Sequence, residues 1–311
     1  MQTEMAPLEL HALKLISVVI PSYNPGDFIY KVLDSIMAQT VDVPMEIIIA
    51  DSSPQDPTPG INARFPEVQV IHLKQRTLAG KARTVGARAA KGEIVFFTDT
   101  DCIVDKDWIK HLLAGHAKGY KVVGGGINNG TADSLVGTTE YLLEFNEFTQ
   151  FTRPREIRAV PSCNLSVRQE IFKLAGYFPD FLKGEDTLFC ENIICAGEKI
   201  FFNPDAVITH MNRTSFKHYV KNQVALGEGG AEARRRAKLH GHFLVQLPFL
   251  VPLIPLYRTY AIGKRLLLAN RRHFVTYLKY YPLIFLGLCA HVWGFIRGPY
   301  RSGFSTEKKG K

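Results

Sequence analysis

Four short apolar runs dominate the N-terminal third of the chain, and each stops at a turn signal or a charged residue. Leu15–Ile20 closes at Pro21, Glu46–Ala50 at Asp51, Val68–Leu73 at Lys74 and Ile94–Thr98 at Asp99. Runs this short and this apolar read as buried strands. Between them, Phe28, Val32, Leu33 and Ile36 share one helix face, and Ala79–Ala90 reads as a further helix. Strands alternating with helices imply βαβ units. The fold class is therefore α/β, with a mostly parallel sheet flanked by helices. Such a sheet binds ligands beyond the carboxyl ends of its strands. Asp51, Lys81, Arg83, Asp99 and Asp101 all fall at or just past those ends.

Two acidic clusters carry the chemistry. Asp99-Thr100-Asp101 follows the fourth run, and alternate residues of an extended chain share a face, so its two carboxylates point the same way. Mg²⁺ commonly sits between one or two carboxylates and substrate phosphates. Gly184-Glu185-Asp186 lies downstream in a turn before a helix, Asp186–Ala196, where it could supply a base. A diphosphate bound at one cluster and proton abstraction at the other make a transferase acting on an activated donor. The plainer reading of both clusters is helix capping and dipole complementation.

The middle of the chain reads as strand Val122–Gly126, helix Leu135–Thr149, strand Ala159–Val167, helix Arg168–Ala175 and an aromatic-rich loop, Gly176–Lys183. Lys199–Asn203 is a short strand, and Asp205–His210 leads away from the domain. The five cysteines are odd in number, scattered and without metal spacing, as expected of reduced thiols. The N-terminus lacks the pattern of a signal peptide.

The order Ser17-Val-Val-Ile-Pro-Ser-Tyr-Asn24, Ile47-Ile-Ile-Ala-Asp51, Gly80-Lys-Ala-Arg83, Asp99-Thr-Asp101, Asn164-Leu-Ser-Val and Gly184-Glu-Asp186 resembles the family 2 glycosyltransferases of the A-type fold. The resemblance covers roughly residues 15–215. It implies that Pro21, Tyr23 and Asn24 line the base and ribose of a nucleotide, and that Asp51 hydrogen-bonds the base. Lys81 and Arg83 would lie near the diphosphate, and Asp99 near the ribose and donor sugar. Asp101 would hold Mg²⁺ or Mn²⁺, with His210 as a late metal ligand or phosphate contact. Asp186 would be the general base, Glu185 would orient base or acceptor, and Asn164 would touch the nucleotide sugar.

The chain departs from the family at three points. Asp51-Ser52-Ser53-Pro54 stands where Asp-Asp-Gly-Ser is common, and Thr84 follows Arg83 where Asn is common. The Gln-x-x-Arg-Trp signature of processive synthases is absent, which favours transfer of one sugar per encounter. A dehydrogenase is disfavoured because no G-x-G-x-x-G follows the first strand. A nucleotidyltransferase and a catalytically inactive binding or scaffold protein remain as alternatives.

Charge divides the chain. Residues 1–211 carry a net −6 and residues 212–311 a net +15. The basic part also holds two apolar runs, Phe243–Ile262 and Tyr280–Ile296, which have no use in a nucleic-acid groove. Basic plus apolar suits an anionic membrane surface. Pro248, Pro252 and Pro255 must kink or break the first run. Two spans would also leave Lys264, Arg265, Arg271, Arg272 and Lys279 on the far side, against the positive-inside rule. The expectation is a catalytic domain over 1–215 and a membrane-associated helical region over 216–311, lying in or dipping into the cytoplasmic leaflet, with spanning helices and a packed helical subdomain as the alternatives. The expected partners are a nucleotide-sugar donor, a lipid-linked or glycan acceptor and the membrane surface, with no nucleic acid.

Overall fold

The computed structural model describes residues 13–180, 183–237 and 239–301. The N-terminal stretch through residue 12, and Phe181 and Leu182 of the aromatic-rich loop, lie outside the described residues. The chain forms two compact units. The first comprises residues 13–130, 147–180 and 185–212; the second comprises 131–146, 183–184 and 213–301.

The first unit is built on a nine-stranded sheet. Strands β1 (Ile16–Ser22), β2 (Met45–Asp51), β3 (Gln69–His72) and β4 (Ile94–Phe97) form its parallel half, in the order β3-β2-β1-β4. Every residue of β1 and β4 is buried, as strands covered on both faces require. Helices α1 (Phe28–Met37), α2 (Thr58–Arg64) and α3 (Ala79–Ala89) connect these strands. Helix α1 buries Ile29, Val32, Leu33 and Ile36, the expected face with Ile29 in place of Phe28. Gly86 of α3 lets that helix sit directly on β1, since a Cβ there would fall 2.4 Å from Val19 Cγ1.

Strand order reverses between β1 and β4, so a crevice opens at their carboxyl ends, where ligands of such sheets bind. Beyond β4 the sheet is mixed. β5 (Cys102–Val104), β6 (Val122–Asn129), β7 (Arg155–Ile157), β8 (Leu165–Arg168) and β9 (Ile200–His210) add one parallel ladder, β6 with β9, and four antiparallel ones. The strand expected over Ala159–Val167 is thus shorter, and a 3₁₀ turn at Ser162–Asn164 precedes it. Asp205–His210 does not lead away: it continues β9 in one strand with Lys199–Asn203's apolar part. The β6–β9 register shifts between Gly125 and Ile127, and Pro204, which has no N–H for a ladder, falls in that irregularity. Helices α4 (Trp108–Ala117), α6 (Gln169–Ala175) and α7 (Glu185–Cys195) complete the unit.

The second unit is helical. It takes α5 (Leu135–Glu144) from within the sequence of the first unit and adds α8 (Phe216–Arg236), α9 (Phe243–Gln246), α10 (Ile254–Ala269), α11 (Arg271–Lys279) and α12 (Tyr281–Arg301). A single division at 215/216 leaves α5 on the other side. Polar bonds help hold it in the second unit: Glu140 and Glu144 of α5 accept hydrogen bonds from Asn222 of α8, and Gln223 adds a 2.6 Å bond to Glu144. The prolines break Phe243–Ile262 as expected, into α9, a 3₁₀ turn at Pro248–Leu253 and α10. Helices α8 and α12 approach at backbone distance. A Cβ on Gly227 would meet His291 O at 2.0 Å, and one on Gly294 would meet Val224 O at 1.9 Å.

Candidate active site

The site is assembled at the carboxyl ends of β1 to β4. At the end of β1 the chain turns through Pro21, Tyr23 and Asn24. Asn24 is the only described non-glycine residue with positive φ, at 49°, a conformation asparagine tolerates well. Its N–H donates to Ser53 Oγ at 2.7 Å. Tyr23 is 40% exposed, and the Arg76 guanidinium lies 4.6 Å from its ring centroid. Beside the Asn24–Ser53 bond opens a cavity of about 460 Å³ lined by Asn24, Ile29, Tyr30, Ser53, Gln55 and Ile61, among others.

Asp51, the last residue of β2, is fully buried. Its Oδ2 accepts from Ser22 Oγ at 2.6 Å and Ser53 Oγ at 2.8 Å. Its Oδ1 accepts from Ser53 N–H at 2.9 Å and lies 3.3 Å from His72 Nδ1. One carboxylate thus ties together the ends of three adjacent strands. Its acceptor positions are engaged internally, so a bond from Asp51 to a nucleobase would replace one of these.

Arg83 of α3 is 3% exposed and joins the two acidic clusters. Its Nη2 donates to Asp99 Oδ1 at 2.5 Å and its Nη1 to Glu185 Oε1 at 3.0 Å. The guanidinium also stands over the Phe178 ring. Burial works against its charge, but Asp99, Glu185 and Asp186 more than offset this and raise its pKa. Gly80, one turn earlier on α3, makes this possible. A Cβ there would fall 2.9 Å from both Glu185 Cγ and Pro179 O. Lys81 points elsewhere: it is largely exposed and 4.0 Å from Asp180.

Glu185 and Asp186 open α7, where the helix dipole favours carboxylates. Glu185 is nearly buried, and Asp186 Oδ1 accepts from Thr187 N–H at 2.7 Å.

Asp101 and His210 meet because β5 and β9 pair antiparallel with Cys102 opposite His210. His210 Nε2 lies 3.7 Å from Asp101 Oδ1. Donor atoms of Asp101, Cys102 and His210 all fall within 4.8 Å of one another. Burial raises the Cys102 thiol pKa well above its usual value, so it offers a thiol rather than a thiolate. The donors fitted to a hard divalent cation are the Asp101 carboxylate and the His210 imidazole. His210 Nδ1 lies 3.1 Å from Asn212 Oδ1, while Asn212 Nδ2 donates to Asn129 Oδ1 at 2.9 Å and to His210 O at 3.2 Å. Asn212's amide orientation is thus fixed, its oxygen faces Nδ1–H, and the lone pair of His210 is placed on Nε2, facing Asp101.

Asn164 sits at the same end of the sheet, just before Leu165, which pairs with Phe97 at the end of β4. It is fully buried, donates to Gly126 O and Ala206 O at 2.8 Å each, and accepts from Trp108 Nε1 at 2.8 Å. Both amide hydrogens are spent on backbone carbonyls, which makes it a bracket across the sheet rather than a group presented to substrate. Sequence reading missed Ser22, Ser53, His72, Arg76 and Asn212. Ser22 and Ser53 lay inside the motifs around Tyr23 and Asp51, and Asn212 two positions after His210; His72 and Arg76 had no such signal.

Residues 17–175 match Glycosyl transferase family 2. The chain belongs to that family. Glycosyltransferase AglE of Haloferax volcanii is 26% identical over 260 residues, covering 78% of this chain and 82% of that protein. The O-antigen chain rhamnosyltransferase RfbN of Salmonella typhimurium is 24% identical over 316 residues, covering 86% and 96%. A mannosyltransferase from Pyrobaculum calidifontis, solved with GDP-Man and Mn²⁺, superposes with a TM-score of 0.64 at 17% identity, covering 96% of this chain and 90% of that one. S. aureus TarS gives a TM-score of 0.53 at 18% identity, over 93% and 91%. These structural likenesses establish the A-type glycosyltransferase fold, and with the family they make the chain a glycosyltransferase.

Proposed function

We infer that this glycosyltransferase moves a single sugar, with inversion, from a nucleotide-diphosphate sugar to a lipid-linked or surface-glycan acceptor at the cytoplasmic face of the membrane. The observation that carries the chemistry is the Arg83 fork. It holds Asp99 of one acidic cluster and Glu185 of the other on a single guanidinium. Donor-side and acceptor-side carboxylates are therefore kept at a fixed spacing before substrate arrives, and geometry set in advance is what lowers a two-substrate barrier.

The nucleotide lies across the ends of β1 to β3. Tyr23 offers a ring face to the base, and Asp51 keeps Ser22, Ser53 and His72 in place beneath it. Asp101 and His210 would hold Mg²⁺ or Mn²⁺, and the imidazole nitrogen would favour Mn²⁺ over the harder Mg²⁺. When bound there, such a cation neutralises charge developing on the diphosphate. The acceptor oxygen attacks the anomeric carbon while the bond from that carbon to the phosphate oxygen breaks. The electron pair leaves with the nucleoside diphosphate, and the acceptor proton passes to the Asp186 carboxylate. One displacement inverts the anomeric configuration. Glu185, tied to Arg83, positions Asp186.

A panel of nucleotide sugars with Mn²⁺, read by release of nucleoside diphosphate and by the anomeric configuration of the product, tests this reading. Metal-dependent turnover of one donor with inversion is expected. Retention of configuration, or turnover untouched by chelator, would overturn it.

A further inference from the structure

The outward face of α10 is composed the wrong way round for a helix in water. Leu253, the residue just before the helix, and Leu256, Tyr257, Tyr260, Leu267 and Leu268 are 47–77% exposed. At 3.6 residues per turn they share roughly one third of the helix circumference, with exposed Lys264 in their midst. The opposite side holds the buried residues Pro255, Ile262 and Leu266, and buried Gly263 lies on the flank. A surface helix ordinarily turns polar residues outward. Helix α11 continues the pattern with exposed Val275 and Leu278, flanked by Arg271, Arg272 and Lys279. It is joined to α10 by the 2.9 Å bond from Tyr277 Oη to Thr259 O. From Ala233 to Thr306 the sequence holds no acidic residue. An apolar stripe with basic margins and no acids complements an anionic lipid surface.

Helix α12 is the only described helix with the length and apolarity to cross a membrane, over Tyr281–Gly298. Its packing argues against crossing. Gly227, Gly294 and Gly298 lock α12 to α8, backbone against backbone. Helix α8 carries Lys217, Lys221, Glu228, Glu232 and Arg234 to Arg236. A spanning α12 would drag those charges into hydrocarbon, where each is costly.

We propose that the second unit is a monotopic membrane anchor: α10 and α11 lie in the plane of an anionic leaflet with their outward stripe in the lipid, and α12 does not cross. This deepens the membrane part of the proposed function and is independent of its chemistry.

The test uses the full-length protein and vesicles of phosphatidylcholine with or without phosphatidylglycerol. Wild type sediments with the anionic vesicles. Leu256→Glu/Leu268→Glu should lose roughly tenfold or more in partitioning. Leu174→Glu, an equally exposed leucine of the first unit, should lose none. Tyr257→Asp gives a second, milder variant, and thermal unfolding checks that each folds. Unchanged vesicle binding by folded α10 variants overturns the proposal. So does a wild type that ignores vesicles and scatters light as a dimer, since a second copy then covers the face. For topology, Lys279→Cys, just before α12, and Arg297→Cys, near the far end of the apolar stretch Tyr281–Gly298, are made with Cys195 and Cys289 changed to Ser. Inverted bacterial membrane vesicles are then treated with an impermeant maleimide. Equal labelling of both is expected, and protection of one until detergent is added means that α12 spans. Absence of nucleotide-sugar turnover would sink the proposed chemistry and leave these outcomes readable.

Discussion

Arg83 Nη1 lies 3.0 Å from Glu185 Oε1, although 102 residues separate the two in sequence. The other arm of the same guanidinium reaches Asp99. A buried arginine between two carboxylates is not exchangeable for a point charge, because lysine cannot serve two acceptors in one plane. Arg83→Lys is expected to fold and to lose about 10²-fold in turnover through misplacement of the two carboxylates. Arg83→Met leaves two carboxylates without their partner and should lower the unfolding midpoint sharply, on the scale of about 3–5 kcal/mol for a broken buried pair. Thermal unfolding and donor turnover of both variants check this. Wild-type turnover in Arg83→Lys would reduce the fork to a structural tie.

Gly80 tests the same relationship without touching a charge. Gly80→Ala places a methyl group 2.9 Å from Glu185 Cγ and from Pro179 O, so the α7 turn must shift. Transfer to acceptor should fall by roughly tenfold or more, since small displacements of positioning groups are costly. Donor binding, at the ends of β1 to β3, should change far less. Titration of the donor against the purified variant separates the two effects, and equal losses in both would contradict the argument.

The β-strand half of this site was legible because β1, β2 and β4 are apolar runs whose ends are marked by Pro21, Asp51 and Asp99. Local pattern sufficed there. The rest depended on partners far away in sequence. Strand β5 has only three residues and is stabilised by antiparallel pairing with β9, more than a hundred residues later. Nothing local in Asn164 distinguishes a substrate contact from a bracket, and only the positions of Trp108, Gly126 and Ala206 decide it. Asp51 sits where the motif puts it, but its engagement by Ser22, Ser53 and His72 is set by the register of three strands.

Asn212 should control metal affinity from outside the ligand set. Its Oδ1 faces His210 Nδ1, and its Nδ2 is anchored on Asn129. Loss of such an orienting partner typically costs 10–100-fold in metal affinity, so about that range is expected for Asn212→Ala. Mn²⁺ binding followed by electron paramagnetic resonance reads this directly. Asp101→Asn should lose more than Asn212→Ala. An Asn212→Ala protein with unaltered Mn²⁺ affinity would leave His210 oriented by other contacts.

Asp186→Asn separates base from binding group. The amide cannot accept the acceptor proton but keeps size and polarity. Donor affinity should persist while transfer drops by ~10²-fold or more, the scale of a general base. If donor affinity collapses and bound donor is transferred normally, Asp186 contacts the donor and the base lies elsewhere.

Glu144 sets a pH dependence of stability. It is buried in the second unit, and burial together with the neighbouring Glu140 raises its pKa from the ordinary 4.5 to about 8. Arg213 and Lys183 pull the other way without prevailing. The folded state therefore holds a proton that the unfolded chain gives up near pH 4.5. Stability from this group is fully present below that pH and is lost as pH rises toward about 8. Glu144→Gln retains acceptor and donor capacity for Asn222 and Gln223 but never ionises. Its unfolding midpoint should match wild type near pH 5 and exceed it by pH 8 to 9, with the gap opening across the window between the two pKa values. Paired unfolding curves at a series of pH values decide it. A constant offset between the two proteins across that series would mean that Glu144 is ionised in the fold throughout, held so by Arg213 and Lys183.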